Sequence, residues 1–146
     1  VMEEVFEEFE RKFGRRKSMV EGYNMEDAEA VIVCMGSMAG TAKYISDKLR
    51  AQGRKVGVVK VVSFRPFPYR KLRSVIGDIK KVAVLDRTTG FGGQGTPLWT
   101  ETKSALPGDC LVKNYIGGLA GRDISHHNQG VRGHTDRRTV RGTRLD

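Results

Sequence analysis

Four short apolar runs, at residues 31–35, 56–62, 82–85 and 111–116, alternate with segments of helical periodicity, and this alternation restricts the fold more than any other feature. The first run, Val31-Ile32-Val33-Cys34-Met35, has no polar interruption. A strand buried on both faces reads this way, as strands of parallel sheets do. After it come a Gly36-Ser37-Met38-Ala39-Gly40 turn and a helix from about Gly40 to Ala51, with Ala42, Ile45 and Leu49 on one face. The second run leads into Phe64-Arg65-Pro66-Phe67-Pro68, a stiff, extended segment because each proline fixes its own φ and biases its predecessor away from helix. A short helix from Tyr69 to Ile76 carries Leu72, Val75 and Ile76. The third run opens into a loop with four glycines between Thr88 and Gly95. Thr96 then caps a helix that has Pro97 in its first turn and ends by Pro107. The pattern predicts a three-layer α/β fold with a mostly parallel sheet of four or five strands and right-handed crossovers.

Ahead of this unit, residues 2–13 predict an amphipathic helix. Met2, Val5, Phe6, Phe9 and Phe13 recur at helical spacing, and Gly14 is a plausible stop. The aromatic stripe is expected to pack this helix on the sheet through Val5, Phe6, Phe9 and Phe13. Residues 14–27 read as a polar connector. The chain thus divides into an N-terminal helix and connector (1–27), an α/β domain (28–125) and a basic tail (126–146). The tail has only three aliphatic side chains, Val131, Val140 and Leu145, and no periodicity, so it is expected to be loosely ordered.

Composition removes several classes of function. The 146 residues suffice for one ordinary domain. No apolar run approaches membrane-spanning length, and the acidic start Val-Met-Glu-Glu lacks the apolar segment of a secretory signal. The two cysteines, Cys34 and Cys110, belong to no C-x-x-C pair and are too few to hold an iron–sulfur cluster. Cys34 reads as a buried thiol, and this usage fits a reducing cytoplasm. The net charge of +9 leaves room for a basic arm that binds RNA, but no aromatic residue interleaves the tail arginines to stack bases. His126, His127 and His134 all lie in that tail. A metal site on the adjacent pair is a reading beside the bland one of solvated histidines.

Three segments are candidates for a functional surface. The Gly36–Gly40 turn is either structural or, at a helix N-terminus, a contact for an anion. It lacks both the P-loop ending and the full dinucleotide-binding glycine spacing. The loop Asp86 to Gly95 leaves the carboxyl end of a strand, the edge where α/β sheets bind ligands and partners. It is either a plain connector or a partner contact with Phe91 as apolar anchor. Arg65, flanked by aromatics and proline, suits a carboxylate clamp or a structural ion pair. Gly36, Ser37, Arg65, Asp86, Arg87 and Phe91 together make a candidate interface. No nucleophile–base arrangement, cofactor site or metal site suggests itself, so the residues alone describe a non-catalytic module.

A resemblance adds to this. Met25-Glu26-Asp27-Ala28-Glu29 through Val33-Cys34-Met35-Gly36-Ser37, Lys55 to Lys60, Phe64-Arg65-Pro66-Phe67-Pro68, Lys81 to Arg87, and Asn114 through Gly117-Gly118-Leu119-Ala120-Gly121-Arg122-Asp123-Ile124 form five blocks in fixed order. Together they resemble the second, transketolase C-terminal-like domain of the alpha subunit of pyruvate:ferredoxin oxidoreductase, over roughly residues 1–125. The Arg-Pro-Phe-Pro block resembles the pyruvate branch more than the 2-oxoglutarate branch. The resemblance implies a domain of a complex that oxidatively decarboxylates a 2-oxo acid to acyl-coenzyme A and reduces ferredoxin. The thiamine diphosphate, Mg, iron–sulfur clusters and coenzyme A of that chemistry would sit elsewhere in the complex. It further implies that this chain alone is inactive and that its partners are the other domains or subunits, with ferredoxin reached through the complex. After Ile124 the sequence departs from the short acidic ending expected of the family. The competing reading is a stand-alone α/β module that binds a nucleotide or RNA through the Gly36 turn and the basic surface.

Overall fold

The structure, a computed structural model, describes residues 2–15 and 17–118. Its elements run α1 (Met2–Phe13), β1 (Val20–Tyr23), β2 (Ala30–Met35), α2 (Met38–Ala51), β3 (Val56–Val61), α3 (Tyr69–Ile76), β4 (Lys81–Asp86), α4 (Pro97–Ala105) and β5 (Leu111–Ile116). The five strands form one sheet in the order β1-β3-β2-β4-β5. Every pairing among β2, β3, β4 and β5 is parallel, and β1 alone is antiparallel. This is the three-layer, mostly parallel α/β fold with an N-terminal helix that the alternation predicts.

The strand order decides where the helices go. The chain steps from β2 to β3 in one direction, then from β3 over β2 to β4 and on to β5 in the other. With crossovers of one hand, α2 must lie on one face and α3 and α4 on the opposite face. The core follows this division. Val31, Val33, Val59, Val61, Val82 and Val84 alternate toward Leu72 and Ile76 of α3 and Leu98 of α4. Cys34 and Val58 point the other way, toward Met38, Ala39 and Ala42 of α2.

Two expectations are corrected. The connector 14–27 is not all loop, because Val20–Tyr23 forms the edge strand β1 with Val20 opposite Val61 and Tyr23 opposite Val58. Four residues containing a glycine carry too little alternation to announce a strand. Only the tertiary partner makes it one. Nor does α1 pack on the sheet by its stripe. Val5 is 54% and Phe13 65% exposed, and among the described residues none of α1 belongs to either core. Phe9 and Phe13 instead lie against each other, ring centroids 4.8 Å apart. Periodicity reports that a helix has an apolar face but not what covers that face. Smaller differences are physical too. α2 begins at Met38, and its buried residues are Met38, Ala39, Ala42 and Ser46, the last three small enough to let the helix approach the sheet. Ser46 Oγ donates to the Val56 carbonyl at 2.6 Å, so the buried hydroxyl is satisfied. The tail, with its three histidines, and the last residues of the fifth family block lie outside the described residues.

Candidate functional site

All four parallel strands end at one edge, where the candidate residues gather. β2 and β4 are neighbours, with Val33 opposite Val84. They flank the point at which strand order reverses, so the Gly36 turn and the Asp86 loop share one surface. Arg65 lies in the segment that follows β3, one strand further on, and reaches α4.

Two of the candidates, Asp86 and Arg65, are fastened into the fold. Asp86 Oδ1 accepts from the Arg87 N–H at 2.8 Å, and Oδ2 accepts from the Leu98 N–H at 3.2 Å. A carboxylate thereby meets an otherwise orphaned donor at the start of α4, where the helix dipole also favours negative charge. Thr96 does the remaining capping: its Oγ1 accepts from the Trp99 N–H at 3.3 Å and donates to Asn114 Oδ1 at 3.0 Å. Arg65 realises the structural alternative. Its guanidinium pairs with Glu101 at 2.8 Å and stacks over the Phe64 ring at 4.2 Å. Glu101 also accepts from the Tyr69 hydroxyl, which raises the Tyr69 pKa above its ordinary value. Arg65, Glu101 and Tyr69 thus tie the proline-rich segment to α4. Sequence reasoning missed Glu101, which stands 36 positions after Arg65, too remote for any local pattern to reveal.

The glycine loop is shaped rather than slack. A side chain at Gly90 would collide with the Gly95 carbonyl oxygen, and one at Gly95 would enter the Trp99 ring. Close approach of backbone to backbone and to indole therefore requires glycine at both positions. The fold this imposes leaves Phe91 99% exposed at the loop tip, with exposed Arg87 at its root. Gly36 and Ser37 are exposed across the β2–β4 boundary.

The turn offers little to a phosphate. The Ala39 and Gly40 N–H groups donate to the Gly36 and Ser37 carbonyls at 3.3 and 3.2 Å, and Ser37 makes no side-chain cap. Two of the donors that an anion cradle would use are thereby engaged within the turn. That removes the main support for the nucleotide-binding reading.

The donor set does not fit a metal cluster either. Among the described residues no group of three or more His, Cys, Asp or Glu side chains is placed to hold an ion. Both cysteines are free. Burial pushes the Cys34 thiol up to about 11, the wrong direction for a thiolate ligand or nucleophile. Cys110 contacts the Ile79 and Lys80 carbonyls at 3.6 Å, as a weak S–H donor does. No helix among the described residues is long and apolar enough to cross a membrane.

Comparison with known proteins gives a consistent outcome. The family model described as pyruvate:ferredoxin oxidoreductase core domain II matches residues 28–128. The pyruvate synthase subunit PorA of Thermotoga maritima is 46% identical over 127 residues, covering 85% of this chain and 32% of the relative. The ketoisovalerate oxidoreductase subunit VorA of Pyrococcus abyssi is 45% identical over 129 residues, covering 86% and 32%. The alpha subunit of the NADH-dependent phenylglyoxylate dehydrogenase of Aromatoleum evansii is 40% identical over 129 residues, covering 86% and 31%. The chain therefore spans about a third of the length of these relatives.

Proposed function

Because the chain belongs to the pyruvate:ferredoxin oxidoreductase core domain II family, we propose that it is a non-catalytic assembly domain of the alpha subunit of a 2-oxoacid:ferredoxin oxidoreductase. The match over residues 28–128 carries this reading. In it, the complex decarboxylates a 2-oxo acid on thiamine diphosphate with Mg, passes electrons through iron–sulfur clusters to ferredoxin and releases acyl-coenzyme A. In this reading those groups sit outside this chain. The free cysteines suit a reducing cytoplasm.

The domain acts by docking. Gly36, Ser37, Arg87 and Phe91 present a polar rim around one aromatic anchor, the composition of a protein contact. Asp86 and Arg65 hold that edge in shape from behind, through the α4 N-terminus and Glu101. The choice of 2-oxo acid is made elsewhere in the complex: relatives named for pyruvate and for ketoisovalerate match this chain at 46% and 45%.

Complementation tests the proposal. The chain is co-expressed with an oxidoreductase whose alpha subunit has been deleted for this domain. The chain should co-purify with that complex and restore 2-oxo-acid-dependent dye reduction, while showing none by itself. Dye reduction by the chain alone, or failure to associate, contradicts the proposal.

A further inference from the structure

The cations of the domain are not matched evenly. Around β1 and β3 they have counter-charges: Arg50 lies 2.6 Å from Asp27, Lys60 3.5 Å from Glu21 and Lys55 3.9 Å from Glu29. α3 is different. Its eight residues include three cations and no acid. Leu72 and Ile76 are buried in the core, so Arg70, Lys71 and Arg73 spread over the outer surface of the helix, where all three are exposed. Neighbouring α4 brings one carboxylate, Glu101, and that is taken by Arg65 at 2.8 Å and by the Tyr69 hydroxyl. Among the described residues no carboxylate lies within ion-pair distance of Arg70, Lys71 or Arg73.

This placement opposes the helix itself. Tyr69 is the first residue of α3, so Arg70 and Lys71 stand in its first turn, where the positive end of the helix dipole favours acids and disfavours cations. Pro68 ahead of them offers no side-chain cap. Arg70 and Arg73 are like charges three positions apart, which repel as well. Two other helices follow the rule that α3 breaks. α1 opens on glutamates and carries Arg11 and Lys12 in its last turn, and α4 has the Asp86 carboxylate at its start. A local rule broken at three exposed positions, with no compensating contact inside the fold, marks charges directed at something outside it.

We propose that the outer face of α3 docks an acidic polypeptide, whose carboxylates pair with Arg70, Lys71 and Arg73. The contact is made by exposed side-chain charge, and complementarity to that charge identifies the partner. The adjoining aromatic residues favour polypeptide over nucleic acid. Arg65 lies over the Phe64 ring at 4.2 Å, and Phe67 is buried against Phe64 and Tyr69, with centroids 5.9 and 4.9 Å away. These rings are engaged with one another and with Arg65 rather than set out as a platform for bases. The inference stands apart from the docking edge at Phe91 and from the family reading.

Fluorescence anisotropy with the full chain, using labelled poly-L-glutamate and polyuridylate as probes, tests it. The wild-type chain should bind poly-L-glutamate, and more weakly as salt rises. Arg70→Glu/Lys71→Glu should weaken that binding at least about 10-fold, whereas Lys48→Glu/Arg54→Glu, the same change of charge in and just after α2, should weaken it less than about 3-fold. The α3 variant should melt at the wild-type temperature or above it, because acids suit the first turn of a helix. Polyuridylate binding should be no more sensitive to the α3 variant than to the α2 variant. A wild-type chain that does not bind poly-L-glutamate overturns the proposal. So does an α2 variant as damaging as the α3 variant, which would mean that net charge alone binds. An α3 variant that melts lower would show that these cations hold the fold, and a loss of polyuridylate binding specific to it would make this a nucleic-acid face; either result also overturns the proposal.

Discussion

The two faces of the sheet are built from the same strands but finished differently. Under α3 and α4, valines from β2, β3 and β4 meet Leu72, Ile76 and Leu98, all nearly inaccessible to water. Under α2 the core is Cys34, Val58, Met38, Ala39 and Ala42, and beyond Leu85 it stops. The difference follows from topology, since two crossovers run toward β5 and only one runs away. One face thus carries most of the buried apolar contact, and the other leaves Leu111 and Tyr115 exposed beyond α2.

The sharpest test of that contrast compares leucines. Leu98→Ala, on the filled face, should cost about 2–5 kcal/mol in denaturant unfolding, because the cavity left behind cannot collapse. An effect below 1 kcal/mol would mean that the filled face is not the stabilising one.

Cys34 probes the thinner face. Cys34→Ser puts a hydroxyl among Met38, Ala42 and Val58 and should cost about 1–3 kcal/mol. Its titration adds a signature. The folded thiol is held up near 11 against an ordinary value of 9.0, so the folded state binds the extra proton between those values. Stability from this group is present below pH 9 and declines as pH rises toward 11, by an amount on the order of 2 kcal/mol. The difference between wild type and Cys34→Ala should therefore shrink across that window. A constant difference would show that the thiol is not sequestered.

Thr96→Ala removes both the α4 cap and the bond to Asn114, and should cost about 1–2 kcal/mol by thermal unfolding. The smallest effect belongs to β5, beyond α2. Leu111→Ala, measured on dilute protein, should change stability by less than about 0.5 kcal/mol. The ratio of the Leu98 and Leu111 effects quantifies the asymmetry of the sheet.

Much of this arrangement is legible from the residues. α3 and β5 have the bounds that their apolar spacing indicates, and Thr96-Pro97 marks the start of α4 through a cap and a proline in the first turn. β1 is not legible, because Val20–Tyr23 becomes a strand only by lying against β3. That the α1 stripe stays off both cores is not legible either, since an amphipathic pattern carries no address. At the candidate edge, the sequence places Asp86 at the end of a strand and Arg65 in the segment after one but leaves their tasks open. Those tasks depend on Leu98 and Glu101, which only the folded chain brings near.

Phe91 offers the most direct measurement of the docking claim. In the complementation complex, Phe91→Ala should weaken association of this chain by about 1–3 kcal/mol, since a 99% exposed ring contributes nothing to the core but anchors the contact. The melting temperature of the isolated chain should stay where it is. Unchanged association, or a variant chain that unfolds, would contradict the assignment of this edge as the domain's point of assembly.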